Sequence, residues 1–451
     1  MKLLVLVLYL FFFLPIFHWD VKVQALGALL IIQILWIGRV FPLAYSSLLF
    51  ILMLSFHFFS YEETLQYLSS EIVWLLFSTF IISHAFIETG LASRLSLQLL
   101  KISRGSGRAL VLISFILMLI LAILIPSNIG KGNLVSSVLD RLLKSLKQID
   151  PVKNLGAALF IGISYSAGIS GAFVATGASS TIYTFGLFTD ITDGLSYLSW
   201  LYYFVPPILL YIVLVWIVFL YTFPPENINR QHLLEFINER LGELGRLSRK
   251  EKKVMIIMGL TLVLWATQVL HGYSIPLVGL LGAALTVLPG IGVWNWDEAK
   301  KSINWDMMLF FASTLMVSGM LIKTGTINWL ADMLIHSLAS QSGIVVLLAL
   351  VLCTALIRLI FVNILGFLTI MIPLAINIGE NLAGFSPLVV AMAVFLAGIP
   401  GFFLITQSPV HLISYSYGYF TDRELMRAGL PSSLLWLIVI AISALFYWPL
   451  L

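Results

Sequence analysis

Four short stretches interrupt otherwise apolar parts of this sequence, at residues 126–132, 176–181, 362–364 and 406–411. Most of them are rich in Ser, Thr, Asn, Gln, Gly or Pro, and several of these residue types end or break a helix. A broken helix exposes backbone N–H groups, which attract anions, and carbonyl groups, which bind cations. These four breaks therefore predict a binding site made mainly of backbone and neutral side chains.

Residues in and beside the four breaks are the candidate ligands. The candidate substrate-binding residues are Ser127, Asn128, Ile129, Ser179, Ser180, Asn363, Ser408 and Pro409, and the candidate cation-binding or charge-replacing residues are Lys131, Gly177, Arg358, Thr406 and His411. Ionisable groups at membrane depth are costly and usually functional. Other interpretations of the ionisable residues stay open. Lys131 could extend into a wet cavity without a ligand, Arg358 could be paired between helices, and His411 could be a neutral packing residue.

Composition places the four breaks inside a membrane protein. Of 451 residues, 60% are hydrophobic and only 10% are charged, whereas about a quarter of a soluble domain is charged. The net charge of +4 is small, so no nucleic-acid partner is expected. One cysteine, Cys353, excludes an internal disulfide and a cysteine metal site. We expect no catalytic residue, no metal site and no cofactor, with sodium left open.

About eleven segments are apolar enough to cross a bilayer, which requires roughly 20 apolar residues. They are 2–16, 23–38, 40–58, 71–88, 155–190, 197–222, 254–270, 275–290, 305–323, 386–413 and 429–449. Residues 2–16 could pass for a signal peptide, but the flank 17–20 lacks a small-residue cleavage site, so we keep the segment as a span. The polar stretch 223–253 has apolar residues at helical spacing, which predicts a helix along the membrane surface.

The two halves of the chain resemble each other. Residues 76–79 match 310–313, and Asn128 and Asn363 stand 235 positions apart. Such a near-constant offset predicts a tandem repeat, and repeats in transporters enclose a site at the bilayer midplane. The predicted organisation is a first transmembrane helix (1–22), repeat 1 (23–222), a cytoplasmic linker helix (223–253) and repeat 2 (254–451).

Basic residues predict the topology, because Lys and Arg prefer short cytoplasmic loops. Segments 91–108 and 139–153 hold four basic residues each. The chain between them therefore enters and leaves on the cytoplasmic side, which predicts a re-entrant hairpin at 109–148. The flanks of 343–378 are poor in basic residues, which predicts a second hairpin on the external side. An odd number of spans between the repeats makes the second copy inverted.

Three stretches carry a family resemblance. Ser127-Asn128 is similar to the Ser-Asn-Thr tip of the divalent anion/sodium symporter family, within the ion transporter superfamily. Residues 35–43 are similar to its Trp-x-x-Glu-Ala-x-Pro-Leu segment, and 408–431 to its last signature. The resemblance covers about residue 22 to the end. It implies an all-α polytopic membrane protein that forms a homodimer, with a fixed scaffold domain and a moving transport domain. It also implies a substrate between the two tips and sodium beside each.

Several positions depart from the family pattern. Ile129 stands where the first tip has Thr, the second tip reads Val362-Asn363-Ile364, and Arg39 stands where the family has Glu. These changes argue against sodium coupling. We hypothesise that the charges of Lys131 and Arg358 replace bound sodium, with proton coupling through the imidazole at position 411 as another route.

The expected function is secondary active transport of a small anion, of the di- or tricarboxylate or sulfate class. Sodium-independent exchange and sodium-coupled symport both stay open. The expected location is a bacterial inner membrane, and the expected partners are the anion and the lipid bilayer. ATP drive is not expected, because the chain has no phosphate-binding loop. Alternatives of another class are a membrane-embedded transferase, which short external loops disfavour, and a non-transporting sensor.

Overall fold

A computed structural model describes residues 2–38, 40–192, 195–226, 228–338, 341–361 and 363–451. Within these ranges the regular elements are helices, with no β-strand. This follows from the apolar sequence, because a backbone in lipid must satisfy its own hydrogen bonds and a helix does so within one segment. Arg39 and Val362, two positions used in the resemblance, lie outside the described residues.

The first half of the chain contains twelve α-helices among the described residues. They are α1 (Lys2–Phe13), α2 (Val21–Ile37), α3 (Leu43–His57), α4 (Tyr61–Leu68), α5 (Glu71–Glu88), α6 (Leu91–Lys101), α7 (Gly107–Leu124), α8 (Asn128–Leu146), α9 (Lys153–Gly171), α10 (Ser179–Ile191), α11 (Tyr197–Thr222) and α12 (Arg230–Glu243).

The described second half contains eleven more. They are α13 (Arg249–Ala266), α14 (Gln268–His271), α15 (Ile275–Val287), α16 (Trp296–Ala299), α17 (Trp305–Lys323), α18 (Thr326–Leu338), α19 (Gly343–Ile357), α20 (Ile364–Asn381), α21 (Pro387–Gly398), α22 (Pro409–Ser416) and α23 (Asp422–Ile442).

Six helical segments in the described chain are long and apolar enough to cross a membrane. They are Tyr61–Glu88, Gly107–Leu124, Tyr197–Thr222, Trp305–Lys323, Ile364–Asn381 and Asp422–Leu450, and shorter apolar helices accompany them. Each of the eleven predicted spans overlaps at least one helix, and α11 and α17 match their predictions residue for residue. The prediction of an all-α polytopic membrane protein is confirmed.

Each of the four breaks includes the start of a helix and part of the segment before it. Three residues, 125–127, separate α7 from α8, and residues 358–363 separate α19 from α20. Helices α9 and α10 are separated by 172–178, and α21 and α22 by 399–408. Both pairs at the predicted hairpins are therefore helix–break–helix units. Their membrane sides, the inverted repeat and the domain boundaries stay predictions.

The polar stretch folds as α12, so the predicted helix is present. Leu233 and Ile237 are fully buried, because α12 packs on α6 and α8. Placement of this helix along the membrane surface stays a prediction. Periodicity alone shows that one face is covered and does not show what covers it.

Candidate functional site

A cavity of about 900 Å³ lies where four helices begin. The first residues of α8, α10, α20 and α22 all line it: Asn128, Ser179, Ile364 and Pro409. The first turn of each helix has backbone N–H groups without an intrahelical partner and carries a partial positive charge. Four such ends around one cavity favour an anionic ligand.

Three side chains at these helix starts are N-caps that keep a free donor. Ser127 Oγ accepts from the Gly130 N–H at 3.1 Å, and Ser408 Oγ accepts from the Val410 N–H at 3.2 Å. Asn363 Oδ1 accepts in the same way from an N–H in the first turn of α20, at 3.2 Å. Because each cap uses an acceptor, the hydroxyl protons and the amide NH₂ remain to donate. A carboxylate, which only accepts, matches such a set.

The starts of α8 and α20 are capped in the same way. Ser127 caps α8 and Asn363 caps α20, each accepting from the N–H three residues later. The second tip thus uses an amide where the first tip uses a hydroxyl. The repeat that pairs Asn128 with Asn363 stays a prediction.

All eight predicted substrate-binding residues line the cavity, and so does Thr406. Their role in binding stays a prediction. The other predicted cation or charge positions, Lys131, Gly177, Arg358 and His411, are not part of its lining. Sequence reasoning thus brought together the residues of one cavity from positions more than 200 residues apart.

The sequence analysis did not propose the part of the lining that comes from α2, α5, α17 and the start of α3. These residues are Gln33, Trp36, Phe41, Phe80, Met307 and Phe310. Gln33, an amide in an otherwise apolar stretch of α2, and the family-like segment 35–43 are the signals that could have indicated it. The others are aromatic or aliphatic residues within spans, where most such residues only pack.

Some polar atoms around the cavity lack a partner. Asn128 Oδ1, Gln33 Nε2 and Trp36 Nε1 are buried, and the described part of the chain gives them no hydrogen bond. Buried polar groups are nearly always paired with protein or water. Unpaired atoms on three lining residues indicate that water or a ligand completes this region.

Lys131 lies behind the cavity and is fully buried. Its ammonium donates to the Ser170 hydroxyl at 3.2 Å and to the carbonyl of Gly177 at 3.2 Å. Gly177 belongs to the break between α9 and α10. The side chain therefore does not extend into a wet cavity, and that interpretation was wrong: its charge is directed at the backbone of a broken helix.

Arg358 has the corresponding arrangement in the second half of the chain. It is 1% exposed, and its Nε donates to the Gly398 carbonyl at 2.9 Å. One Nη donates to the Gln407 carbonyl at 3.0 Å, and the other donates to the carbonyl of Phe361. Its hydrogen-bond partners among the described residues are carbonyls in or beside two breaks, and none of these partners is a carboxylate.

His411 is the third buried ionisable residue beside a break, with 1% exposure. Its Nε2 lies 2.8 Å from the carbonyl oxygen of Gly401, so this nitrogen carries a proton and donates. Its Nδ1 has no hydrogen-bond partner in the described chain. The geometry matches a neutral imidazole held by one backbone hydrogen bond.

Comparisons with known proteins identify the family. The family model for the sodium:sulfate symporter transmembrane region matches residues 1–451. An L-tartrate/succinate antiporter of Escherichia coli K12 is 26% identical over 397 residues, covering 84% of this chain and 79% of the relative. A membrane protein of Cupriavidus necator is 22% identical over 385 residues, covering 84% and 75%.

The match extends over the whole chain and agrees with the helical architecture and the anion-favouring cavity. The earlier resemblance is confirmed. This chain belongs to the sodium:sulfate symporter family, and it is an integral membrane protein that works as a secondary anion transporter.

Proposed function

We propose that this protein exchanges small carboxylate anions across the membrane without sodium. The observation that carries the proposal is the placement of two fixed cations. Lys131 donates to the Gly177 carbonyl, and Arg358 donates to the carbonyls of Gly398 and Gln407. Carbonyls of unwound helices are the groups that coordinate sodium in transporters.

A fixed charge and a bound ion have different transport consequences. A sodium ion can leave, so an empty carrier can differ from a loaded one in charge. The charges of Lys131 and Arg358 cannot leave, so the site without an anion keeps two cations whose described partners are neutral, a hydroxyl and backbone carbonyls. Returning without an anion is then costly, because buried unpaired charge is unfavourable. This asymmetry favours obligatory exchange, and one relative is named as an antiporter.

The rest of the proposal follows the family. The protein works as a homodimer by alternating access, and the helices around the breaks move against a scaffold that contains α3, α5, α15 and α17. These four helices pack in the pairs α5–α15 and α3–α17. Sodium-coupled symport is the second candidate function, since the family model is named for sodium-coupled proteins. A membrane-embedded transferase or a sensor without flux is the alternative of another class.

The test is transport by purified protein in liposomes. Uptake of labelled succinate, tartrate, citrate and sulfate is measured with external sodium, with choline in its place, and with or without unlabelled anion inside. We expect uptake that requires internal anion and is unchanged by choline. Uptake that requires sodium, with or without internal anion, would show that the altered tips still bind the ion and that the exchange proposal is wrong.

A matched pair of variants assigns the result to the fixed charge. Lys131→Gln removes the buried ammonium, whereas Lys147→Gln removes an exposed ammonium just after the same helix. We expect exchange to fall at least tenfold in the first variant and to stay within twofold in the second. Unchanged exchange and unchanged sodium response in Lys131→Gln would contradict the role of Lys131.

A further inference from the structure

The cavity lining is built from two unlike sets of residues. The helix starts provide hydroxyl and amide donors, as described above. The lining that comes from α2, α5, α17 and the residues just before α3 is mostly aromatic and aliphatic, and its polar groups among those described are the Gln33 amide and the Trp36 indole N–H. No Lys, Arg, Asp or Glu side chain is part of the described lining.

The apolar part of the lining is held rigidly. The Trp36 and Phe310 rings meet edge to face with centroids 4.6 Å apart, and Trp36 also packs on Phe50 at 6.2 Å. The Trp36 and Phe310 rings are nearly buried, so they support this part of the lining from behind. Phe80 and Met307 are half-buried and also line the cavity.

Apolar side chains also stand beside the donors. Ile129 is 41% exposed and Leu412 is 38% exposed, although both line a cavity within the protein. Phe361, also in the lining, is half-buried. Apolar surface left facing a wet cavity is unfavourable, and a ligand that covers it gains free energy in proportion to the area removed from water. This surface therefore discriminates between ligands by their hydrocarbon.

A hydroxyl group on the ligand is unfavourable against the same apolar surface. Next to Phe80 or Met307 it loses hydrogen bonds to water and these two side chains offer none in return, which costs free energy. The donors of the helix starts are best matched by the carboxylate oxygens, which leaves ligand hydroxyls against the apolar wall. Hydroxylated carboxylates are thus disfavoured relative to alkylated ones of the same size.

We propose that the transported anion is a carboxylate with an apolar body, an alkyl- or aryl-substituted acid, and that Phe80 is a specificity-determining residue. This inference rests on the proposed function, since it concerns the same cavity. The carboxylate binds at the starts of α8, α10, α20 and α22. The alkyl or aryl group lies against Phe80, Met307 and the Trp36–Phe310 pair.

The test uses ligands that differ only at the carbon that meets the wall. Methylsuccinate carries a methyl group where malate carries a hydroxyl group. In the same way, 2,3-dimethylsuccinate carries two methyl groups where tartrate carries two hydroxyl groups. Dissociation constants for purified protein are measured by titration calorimetry. We expect each methyl group to tighten binding relative to succinate by about fourfold. Malate and tartrate binding as tightly as their methylated counterparts would overturn the proposal.

Variants at Phe80 test whether the preference for methylated over hydroxylated acids comes from the apolar part of the lining. Phe80→Ser removes apolar area, and Phe80→Leu keeps most of it. The first is expected to reduce the methylsuccinate-to-malate ratio at least threefold, and the second to change it less than twofold. Melting temperatures without ligand check that both variants fold. An unchanged ratio in Phe80→Ser, with wild-type stability, would overturn the role of Phe80.

The same experiment separates this inference from the proposed function. Exchange of anions in liposomes together with a preference for hydroxylated acids would refute the apolar body and leave exchange intact. Binding and exchange of none of these carboxylates would refute both.

Discussion

The ammonium nitrogen of Lys131 lies 3.2 Å from the carbonyl oxygen of Gly177, in the break between α9 and α10. The Lys131 amine thus occupies a position beside the backbone that could hold a cation. Arg358 repeats the arrangement at the second pair of breaks with three carbonyls. Both charges hold the ends of broken helices in place, and neither contacts the cavity.

Arg358→Gln should make protein stability respond to sodium. The wild-type melting temperature is expected to be the same in sodium and in choline, because the guanidinium already satisfies the carbonyls of Phe361, Gly398 and Gln407. Charged hydrogen bonds contribute about 1.5–3 kcal/mol each, so losing three should destabilise the fold by about 4.5 kcal/mol or more. Sodium, placed among the freed carbonyls, should restore part of this loss.

The measurement is thermal unfolding of the wild type and Arg358→Gln in sodium chloride or choline chloride at about 100 mM, which is close to physiological ionic strength. Arg427→Gln, which removes an exposed charge, controls for net charge. Equal melting temperatures of Arg358→Gln in the two salts would mean that its carbonyls do not form a cation site.

Gly132, in α8, allows this helix to approach α22 closely. A Cβ at this position would lie 2.6 Å from a Val410 methyl group, so α8 and α22 could not keep their present distance. Gly132→Ala should therefore destabilise the protein by about 1–3 kcal/mol and lower exchange. Adding Val410→Ala should recover most of the stability, because it removes the clashing methyl groups.

Gly259→Ala is the matched control for this pair, since nothing lies within 4 Å of its added Cβ. It should be neutral or slightly stabilising, as Ala is the better helix former. A Gly132→Ala protein with wild-type stability would show that α8 and α22 are not this closely packed.

The ion pair of Arg94 and Glu251 joins α6 to α13, with Nε and Oε1 2.6 Å apart and both side chains buried. Arg94 also donates to the carbonyls of Leu244 and Gly245, just after α12. Removing one partner of a buried pair costs about 3–5 kcal/mol. Arg94→Gln should lose about that much stability, whereas Arg240→Gln, in the exposed pair with Glu243, should lose less than about 1 kcal/mol.

The same pair predicts a pH dependence. Burial raises the pKa of Glu251, but hydrogen bonds from Arg94 and Ser248 outweigh it and hold the pKa below its ordinary value of 4.5. Because the folded-state pKa is lowered, the contribution is present above the unfolded pKa and is lost as pH falls through the folded pKa. Melting temperature should drop below about pH 4.5 less steeply in Glu251→Gln than in the wild type. Parallel curves would contradict this.

The sequence predicted the helices and the breaks because both depend on local properties: runs of apolar residues, and Gly, Pro and hydroxyl residues within them. It predicted the donors of the cavity for the same reason. It did not predict the aromatic wall, since Phe80 and Met307 look like any other residue of a span. It also did not predict the cap formed by Asn363, because that role depends on the contact of its side chain with the first turn of α20.

The cavity should be open to the cytoplasm in this conformation. It is lined by Phe41, just before α3, and by Met307, in the first turn of α17, and basic residues lie near both. Lys2 Nζ lies 5.1 Å from the centre of the Phe41 ring, and Lys300 and Lys301 precede α17. Basic residues prefer the cytoplasmic side, so the helix ends around this opening belong there.

Accessibility of single cysteines measures the side of the opening. In a Cys353→Ser background, Ile129→Cys should react with a membrane-impermeant maleimide from the cytoplasmic face only, since Ile129 is 41% exposed within the cavity. Glu62→Cys is the control: it lies on α4, next to the Glu63–Lys323 ion pair on the predicted external side. It should react only from outside. Labelling of both cysteines from one face would mean that the basic residues around the opening do not mark the cytoplasm, and that the predicted topology is inverted or wrong.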